Sequence, residues 1–244
     1  MNMLSNQKNL EPVLSVMIPV FNEQETIEIV INKVQSQPGV GEIIVVNDGS
    51  TDSTADILAS QKNVIVKIIS HQKNTGKGSA IKSCQALLSF PFMIIQDADL
   101  ELNPYDFSKI LDQFLNENTN VVYGSRYLGR KNRFTARYVG NRIMTIYANL
   151  LTRQNLTDVA TGYKAMKTSI FKQLDLVENG FSIDAEITAK LSKLGFKIIE
   201  VPVSYNARTK SQGKKIKTTD AFKFFYAVVK YSVCSVKERP SDRP

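Results

Sequence analysis

The chain has 244 residues, 43% hydrophobic and 22% charged, ordinary values for a soluble globular protein and enough for one large domain with a sizeable core. A net charge of +8, from 31 Lys+Arg against 23 Asp+Glu, favours anionic partners: nucleotides, phospholipid surfaces or nucleic acid. The longest stretch without a charge, Ser83 to Gln96, is too short to span a bilayer and contains Pro91, residues 1–13 lack an apolar signal-peptide core, and Cys84 and Cys234 match no metal or redox spacing, so a reducing, cytoplasmic setting is expected.

Leu14 to Val20 reads as a first strand ending in Phe21-Asn22-Glu23. Asn22 is placed to cap the next helix, with Glu25 completing a capping box, and Ile27, Val30, Ile31 and Val34 at spacing 3, 4, 7 give that helix its core face up to Pro38-Gly39. Glu42 to Val46 is a second buried strand, closed by Asn47-Asp48-Gly49-Ser50-Thr51-Asp52 and a helix running to about Ser60; Val64 to Ile69 is the third. Gln72 to Ser79, with Lys73, Gly76, Lys77 and Gly78, reads as a flexible basic loop ahead of a helix to Leu88.

Phe92 to Glu101 then carries an apolar run that stops abruptly at Asp97-Ala98-Asp99, the pattern of a strand buried on both faces. Residues two apart in an extended chain point the same way, so Asp97 and Asp99 aim two carboxylates at one spot past the strand end, and Glu101 is one further step of two. Convergent carboxylates there suit a hard divalent cation, Mg²⁺ or Mn²⁺, shared with phosphate oxygens; a helix-capping acidic turn before Pro104 is the other reading.

Strands alternating with helices at this pace imply βαβ units and a Rossmann-like, mostly parallel sheet flanked by helices, an α/β fold whose polar strand ends, Asn22-Glu23, Asp48 and Asp97/Asp99, gather along one edge. A dinucleotide-binding oxidoreductase is disfavoured, since the first turn holds Pro19 and Asn22-Glu23 and no glycine.

Downstream, a helix from Pro104 to about Asn116 leads to a short strand, Val121 to Tyr123, and to Gly124-Ser125-Arg126. No acidic residue lies between Glu117 and Asp158, while Arg126, Arg130, Lys131, Arg133, Arg137 and Arg142 all do. A helix with Ile143, Ile146, Tyr147, Leu150 and Leu151 follows, then a polar turn at Thr157-Asp158 and Thr161 to Lys164, a helix from Ile183 to Leu194 carrying Asp184 and Glu186, and a last strand, Phe196 to Val203, that Pro202 places near an edge. A second basic segment holds Arg208, Lys210, Lys214, Lys215 and Lys217. The C-terminal helix, Asp220 to about Val236, sets Phe222, Phe225, Val229 and Val233 on one stripe and Lys223, Lys230 and Lys237 on another. The expected division is a tail (1–13), one catalytic domain (14–213) and an amphipathic helix with its tail (214–244).

Five motifs, Pro19-Val20-Phe21-Asn22-Glu23, Val46 to Asp52, Asn74 to Gly78, Asp97-Ala98-Asp99 and Gly124-Ser125-Arg126, occur in the order and spacing of family 2 glycosyltransferases, and over most of its length the chain resembles the dolichol-phosphate mannosyltransferase branch. The resemblance implies a GT-A fold and inverting, metal-dependent transfer of a hexose from a nucleotide-diphosphate sugar of GDP-mannose or UDP-glucose type. Under it, Pro19, Phe21 and Glu23 mark the nucleotide-base end, Asp48 contacts the base, Lys77 lies near the nucleotide, Asp97 and Asp99 match the DxD metal motif with Glu101 as a further ligand, and Arg126 faces phosphate. Asn47 stands where many relatives have an acid, which leaves the donor base open. The absence of Trp removes the signature of processive polysaccharide synthases.

A sugar hydroxyl attacking the donor needs a general base, for which Asp158, Asp184 and Glu186 are the carboxylates left over. A lipid phosphate is already an anion and needs cations instead. Arg137, Arg142 and Arg208 are candidates to hold it, which makes a polyprenyl phosphate at the cytoplasmic face of a membrane the expected acceptor and peripheral attachment the expected location. Nucleic acid is not expected, because the basic residues lack interleaved aromatics for base stacking. The remaining alternatives are a transferase acting on a saccharide or protein hydroxyl and a catalytically idle nucleotide-sugar binder. The single His71 is expected to be structural.

Overall fold

The computed structural model describes residues 10–129, 136–208 and 218–233, with the backbone alone at 136–137 and 218–221. Arg130, Lys131, Arg133, the Arg137 side chain, Lys210, Lys214, Lys215, Lys217, Cys234 and Lys237, together with the boundary expected at 213/214, lie outside the described residues. Seven strands, β1 (Leu14–Val20), β2 (Val40–Asn47), β3 (Val66–Ser70), β4 (Phe92–Ile95), β5 (Val121–Ser125), β6 (Lys164–Lys167) and β7 (Ile199–Pro202), form one sheet in the order β3-β2-β1-β4-β6-β5-β7. All neighbouring pairs are parallel except β6, which runs antiparallel to both β4 and β5.

Period-two alternation sorts the strand residues onto two cores. Val16, Ile18, Ile43, Val45 and Ile94 pack against α1 (Ile27–Gln35), α2 (Thr54–Ala59) and α4 (Phe107–Leu115). Met17, Ile44, Val46, Met93 and Ile95 face α3 (Lys77–Gln85), α5 (Ala136–Thr152), α6 (Thr168–Gln173), α7 (Ile183–Lys193) and α8 (Thr218–Val233). Both faces of the sheet are therefore covered by helices, the α/β architecture expected. Each fully buried Val, Ile or Leu contributes about 1.5–3 kcal/mol, and the predicted core face of α1, Ile27, Val30, Ile31 and Val34, is buried completely.

Four local expectations change. Asn22 does not cap α1: at φ +50° its side chain bonds the Thr51 backbone N–H, and the helix starts only at Ile27. α3 begins at Lys77, inside the expected loop, with Gly76 at its N-cap in a left-handed conformation. The polar turn at Thr161 leads straight into β6, which shows no strand signal because Lys164 is a buried charge. α8 is rotated from its expected stripe. Phe224, Ala227, Val228 and Tyr231 are buried against α7 and α5, while Phe222, Val229 and Val233 are exposed. Ala227 permits close approach, and the Tyr231 hydroxyl finds a buried-side partner by donating to Glu178 Oε1 at 2.7 Å. β7, with Pro202, lies at the sheet edge as expected.

Candidate active site

The C-terminal ends of β2, β1 and β4 are neighbours in the sheet, so Asp48, Phe21–Glu23 and Asp97–Glu101 emerge along one edge. The last turn of β4 is pinned by Gln96, whose amide donates to Asp97 O (2.9 Å) and accepts from the Tyr163 hydroxyl (2.7 Å). Asp99 Oδ1 accepts from the Glu101 N–H at 3.0 Å, closing a turn in which Leu100 sits at φ +59°, a region costly for a branched side chain. Burial, then the neighbouring Asp97 charge, raises the Asp99 carboxyl well above the ordinary carboxylate range. Gly162 backs the pair, because a Cβ there would overlap Asp97 Oδ2.

Two like charges held together call for a cation, and the chain brings one: Lys77 Nζ lies 2.8 Å from Asp97 Oδ1. A divalent metal suits the same two carboxylates, since Mg²⁺ takes one or two and leaves its other positions to water and substrate phosphate. Glu101 is directed elsewhere. Its Oε1 accepts from the Arg208 N–H (2.9 Å) and its Oε2 from the Tyr205 hydroxyl (3.3 Å). Among the described residues no three acidic, His or Cys side chains gather tightly enough to form a metal cage.

Lys77 also lies 3.8 Å from Asp184 Oδ2, and the other oxygen of Asp184 lies 2.9 Å from the fully buried Lys164. Burial alone would lower the Lys77 ammonium, but the charges of Asp184 and Asp97 outweigh it and hold it above its ordinary value. Burial lowers Lys164, which nevertheless donates to the Val159 and Thr161 carbonyls. Asp184 is thus flanked by two ammonium groups, and burial, which would raise it, is overcome by them. The glycines around Lys77 serve chain packing: a Cβ at Gly76 or Gly78 would overlap Asn179 O or Glu178 O.

Asp48 is largely committed to this same loop. Oδ1 accepts from Thr75 N (3.0 Å) and Thr75 Oγ1 (2.8 Å) and faces His71 Nδ1 at 2.7 Å, and Oδ2 accepts from Gly76 N (2.7 Å). Its own N–H donates to Val20 O, which ties it to the first-strand turn beside the half-buried Pro19 and Phe21. His71 reaches Ser83 through its other nitrogen. Glu23 is paired with Arg208, which donates to Glu23 Oε2 at 2.8 Å and to Asp99 O at 2.7 Å and so clamps the first-strand turn onto the Asp-Ala-Asp turn. Thr26 adds a second tie to Ala98 O.

Arg126 and Asp158 form a closed pair. The Asp158 carboxylate accepts from Arg126 N, Nε and Nη2 and from Asn141 Nδ2, at 2.7 to 3.0 Å, and is completely buried. Burial would raise its pKa, but the Arg126 charge and these hydrogen bonds hold it below the ordinary value. Arg126 also faces the rings of Tyr127 and Tyr205. Glu186 accepts from the Val177 and Glu178 N–H groups and pairs with Lys190. Arg142 is exposed on α5, whereas Arg208 is paired with Glu23. Sequence spacing did not mark Gln96, Gly162, Lys164, Asn141 or Glu200, the last of which receives the Thr157 and Asp158 N–H groups. Only the Thr161-to-Lys164 polar cluster hinted at two of them.

The fold recurs in solved enzymes. The chain superposes on glucosyl-3-phosphoglycerate synthase from Mycobacterium tuberculosis, solved with Mn²⁺, UDP and phosphoglyceric acid, with a TM-score of 0.70 over 93% of this chain and 80% of that one at 19% identity. In sequence it is 30% identical over 196 residues to glycosyltransferase AglJ of Haloferax volcanii, 79% of this chain but 63% of that longer protein. It is 27% identical over 244 residues, 90% of this chain and 96% of the relative, to the UDP-N-acetylglucosamine–dolichyl-phosphate N-acetylglucosaminyltransferase of Methanococcus voltae. Residues 15–175 match the model of glycosyl transferase family 2, and with the Asp-Ala-Asp turn at the sheet edge this GT-A chain belongs to that family of enzymes.

Proposed function

We propose that the chain transfers a hexose from a nucleotide-diphosphate sugar to a polyprenyl phosphate at a membrane surface, with Mg²⁺ or Mn²⁺ held by Asp97 and Asp99. The carrying observation is the state of the leftover carboxylates. Asp158 is saturated by Arg126 and Asn141, Asp184 lies between two lysines, and Glu186 is spent on backbone N–H groups and Lys190. A carboxylate held ionised by cations is a weak proton acceptor, and hydroxyl attack depends on a good one. A phosphate monoester arrives as an anion and dispenses with it. Its oxygen forms the new bond to the anomeric carbon as the bond to the donor diphosphate breaks, the electron pair leaving with the nucleotide.

The bound metal would act as a Lewis acid on the leaving diphosphate. Lys77, beside Asp97, adds a preorganised donor to the same charge. Arg208 holds the Asp99 turn from behind, and the Pro19–Glu23 segment with the Asp48 loop forms the nucleotide side of the cleft. The dolichyl-phosphate acceptor in the Methanococcus voltae relative's name supports the acceptor class. No described helix is long and apolar enough to cross a membrane.

The test incubates the protein with labelled GDP-mannose, UDP-glucose or UDP-N-acetylglucosamine and a short polyprenyl phosphate, with and without Mn²⁺. Metal-dependent label in the organic phase is expected. Label on a saccharide or protein hydroxyl in its place overturns the acceptor assignment.

A further inference from the structure

Two helices on one side of the sheet turn apolar stripes to solvent. On α5, Val139, Ile143, Ile146 and Leu150 are exposed, while the buried side is the small and polar set Asn141, Thr145, Ala148 and Thr152. On α8, Phe222, Tyr226, Val229 and Val233 are exposed. Leu150, Phe222 and Val233 are 75%, 77% and 72% accessible. Both stripes recur at the 3-4 spacing of one helical face. The helices touch, and the Tyr147 and Phe225 rings meet edge-on at 4.9 Å between them, so the stripes are neighbours on one surface. A contiguous apolar patch of this kind marks an interaction site.

The geometry points to an anionic lipid surface as what this face meets. Arg142 and Lys223 flank the stripes and Arg153 follows α5, all exposed. α5 contains no acid and α8 only Asp220. Glu178, the acid that α8 touches, is already neutralised by Lys230 at 3.3 Å. An apolar face with basic flanks is the pattern of helices lying at the headgroup boundary, where anionic headgroups attract the cations. A second copy of this chain suits the face poorly, since a two-fold contact would set its basic flanks against their own copies. The helix that carries the first stripe turns its other side to the site: the buried Asn141, in the second turn of α5, donates to Asp158 beside Arg126. The inference rests on the lipid-phosphate reading and deepens it.

The test is flotation of the full chain with phosphatidylcholine vesicles, with and without phosphatidylglycerol. The wild type is compared with Ile143→Ser/Leu150→Ser, Phe222→Ser/Val233→Ser, Arg153→Glu/Lys223→Glu, and an opposite-face control, Ile29→Ser/Leu115→Ser. All are checked for unchanged melting and for labelling of a short, soluble polyprenyl phosphate. The wild type and the control should float with anionic vesicles, and the three face variants should partition at least about tenfold less while labelling the soluble acceptor normally. Wild-type flotation by the face variants, or no flotation by the wild type, overturns the face. So does a wild-type dimer in light scattering that the serine variants dissociate without loss of flotation. Flotation through this face together with hydroxyl labelling would overturn only the acceptor assignment.

Discussion

The ammonium of Lys77 stands 2.8 Å from Asp97 Oδ1, so the first carboxylate of the Asp-Ala-Asp turn already carries a cation supplied by the chain itself. A divalent metal arriving at that turn competes with it for the same oxygen. Lys77→Met should therefore bind Mn²⁺ more tightly, by roughly tenfold or about 1.4 kcal/mol, and yet lose at least about a hundredfold in transfer, because a donor to the departing diphosphate is gone. Calorimetric Mn²⁺ titration beside a turnover assay separates the two. Weaker Mn²⁺ binding by the variant would show that the lysine supports the metal.

Asp99→Asn should abolish metal-dependent transfer while leaving the fold intact. In EDTA at pH 8 it should melt no lower than the wild type. The sign follows from linkage: Asp99 is an acid whose folded pKa is raised by burial and by Asp97, so the metal-free fold loses stability as pH rises from the unfolded value, about 3.9, through the folded one. A neutral amide escapes that loss. A markedly lower melting temperature, or undiminished wild-type activity in EDTA, would contradict the metal role.

Gly162→Ala tests the backing of the pair. The added methyl group would overlap Asp97 Oδ2 and must push the carboxylate out of line with Asp99. Mn²⁺ affinity should fall by about tenfold or more with far-UV circular dichroism unchanged. An alanine variant with wild-type Mn²⁺ affinity would mean that the Asp97 side chain relocates freely.

Asp158→Asn addresses the Arg126 pair. Breaking a buried ion pair on one side costs about 3–5 kcal/mol. The folded pKa of Asp158 is depressed, so its contribution is present above the unfolded value near 3.9 and is lost as pH falls through the folded value. The variant should be less stable at pH 7, with a shallower decline between about pH 4 and 2. Chemical denaturation across that range measures both, and parallel pH curves would place the acid-sensitive group elsewhere.

Much of the architecture was legible because it rests on periodicity. The buried runs of β1, β2 and β4 and the 3-4-7 face of α1 announce themselves by composition. What escaped was set by long-range pairing. β6 is hidden by Lys164, a charge made tolerable by the distant Asp184, two carbonyls and the Tyr123 ring. The face of α8 is chosen by α7 and α5, not by its own hydrophobic count. In the site, residues two apart after a buried strand pointed to Asp97 and Asp99, while Glu101, on the same spacing, is drawn off by Arg208 and Tyr205 from beyond β7. Spacing places a side chain on a strand end; it does not say which remote partner claims it.

Glu178 gives the molecule a mechanical axis. Its carbonyl abuts Gly78 beside Lys77, its N–H is held by Glu186 of α7, and its carboxylate takes the Tyr231 hydroxyl of α8. The helix that carries the solvent-facing Phe222 and Val233 and the start of α3, which aims Lys77 at Asp97, are therefore both seated on one residue. Local opening of either should drag the other, so the amides of 76–80 and of the α8 segment 227–233 should exchange with deuterium as a single cooperative unit, and a load placed on α8 would be felt at the cleft as a change in how long Lys77 dwells on Asp97.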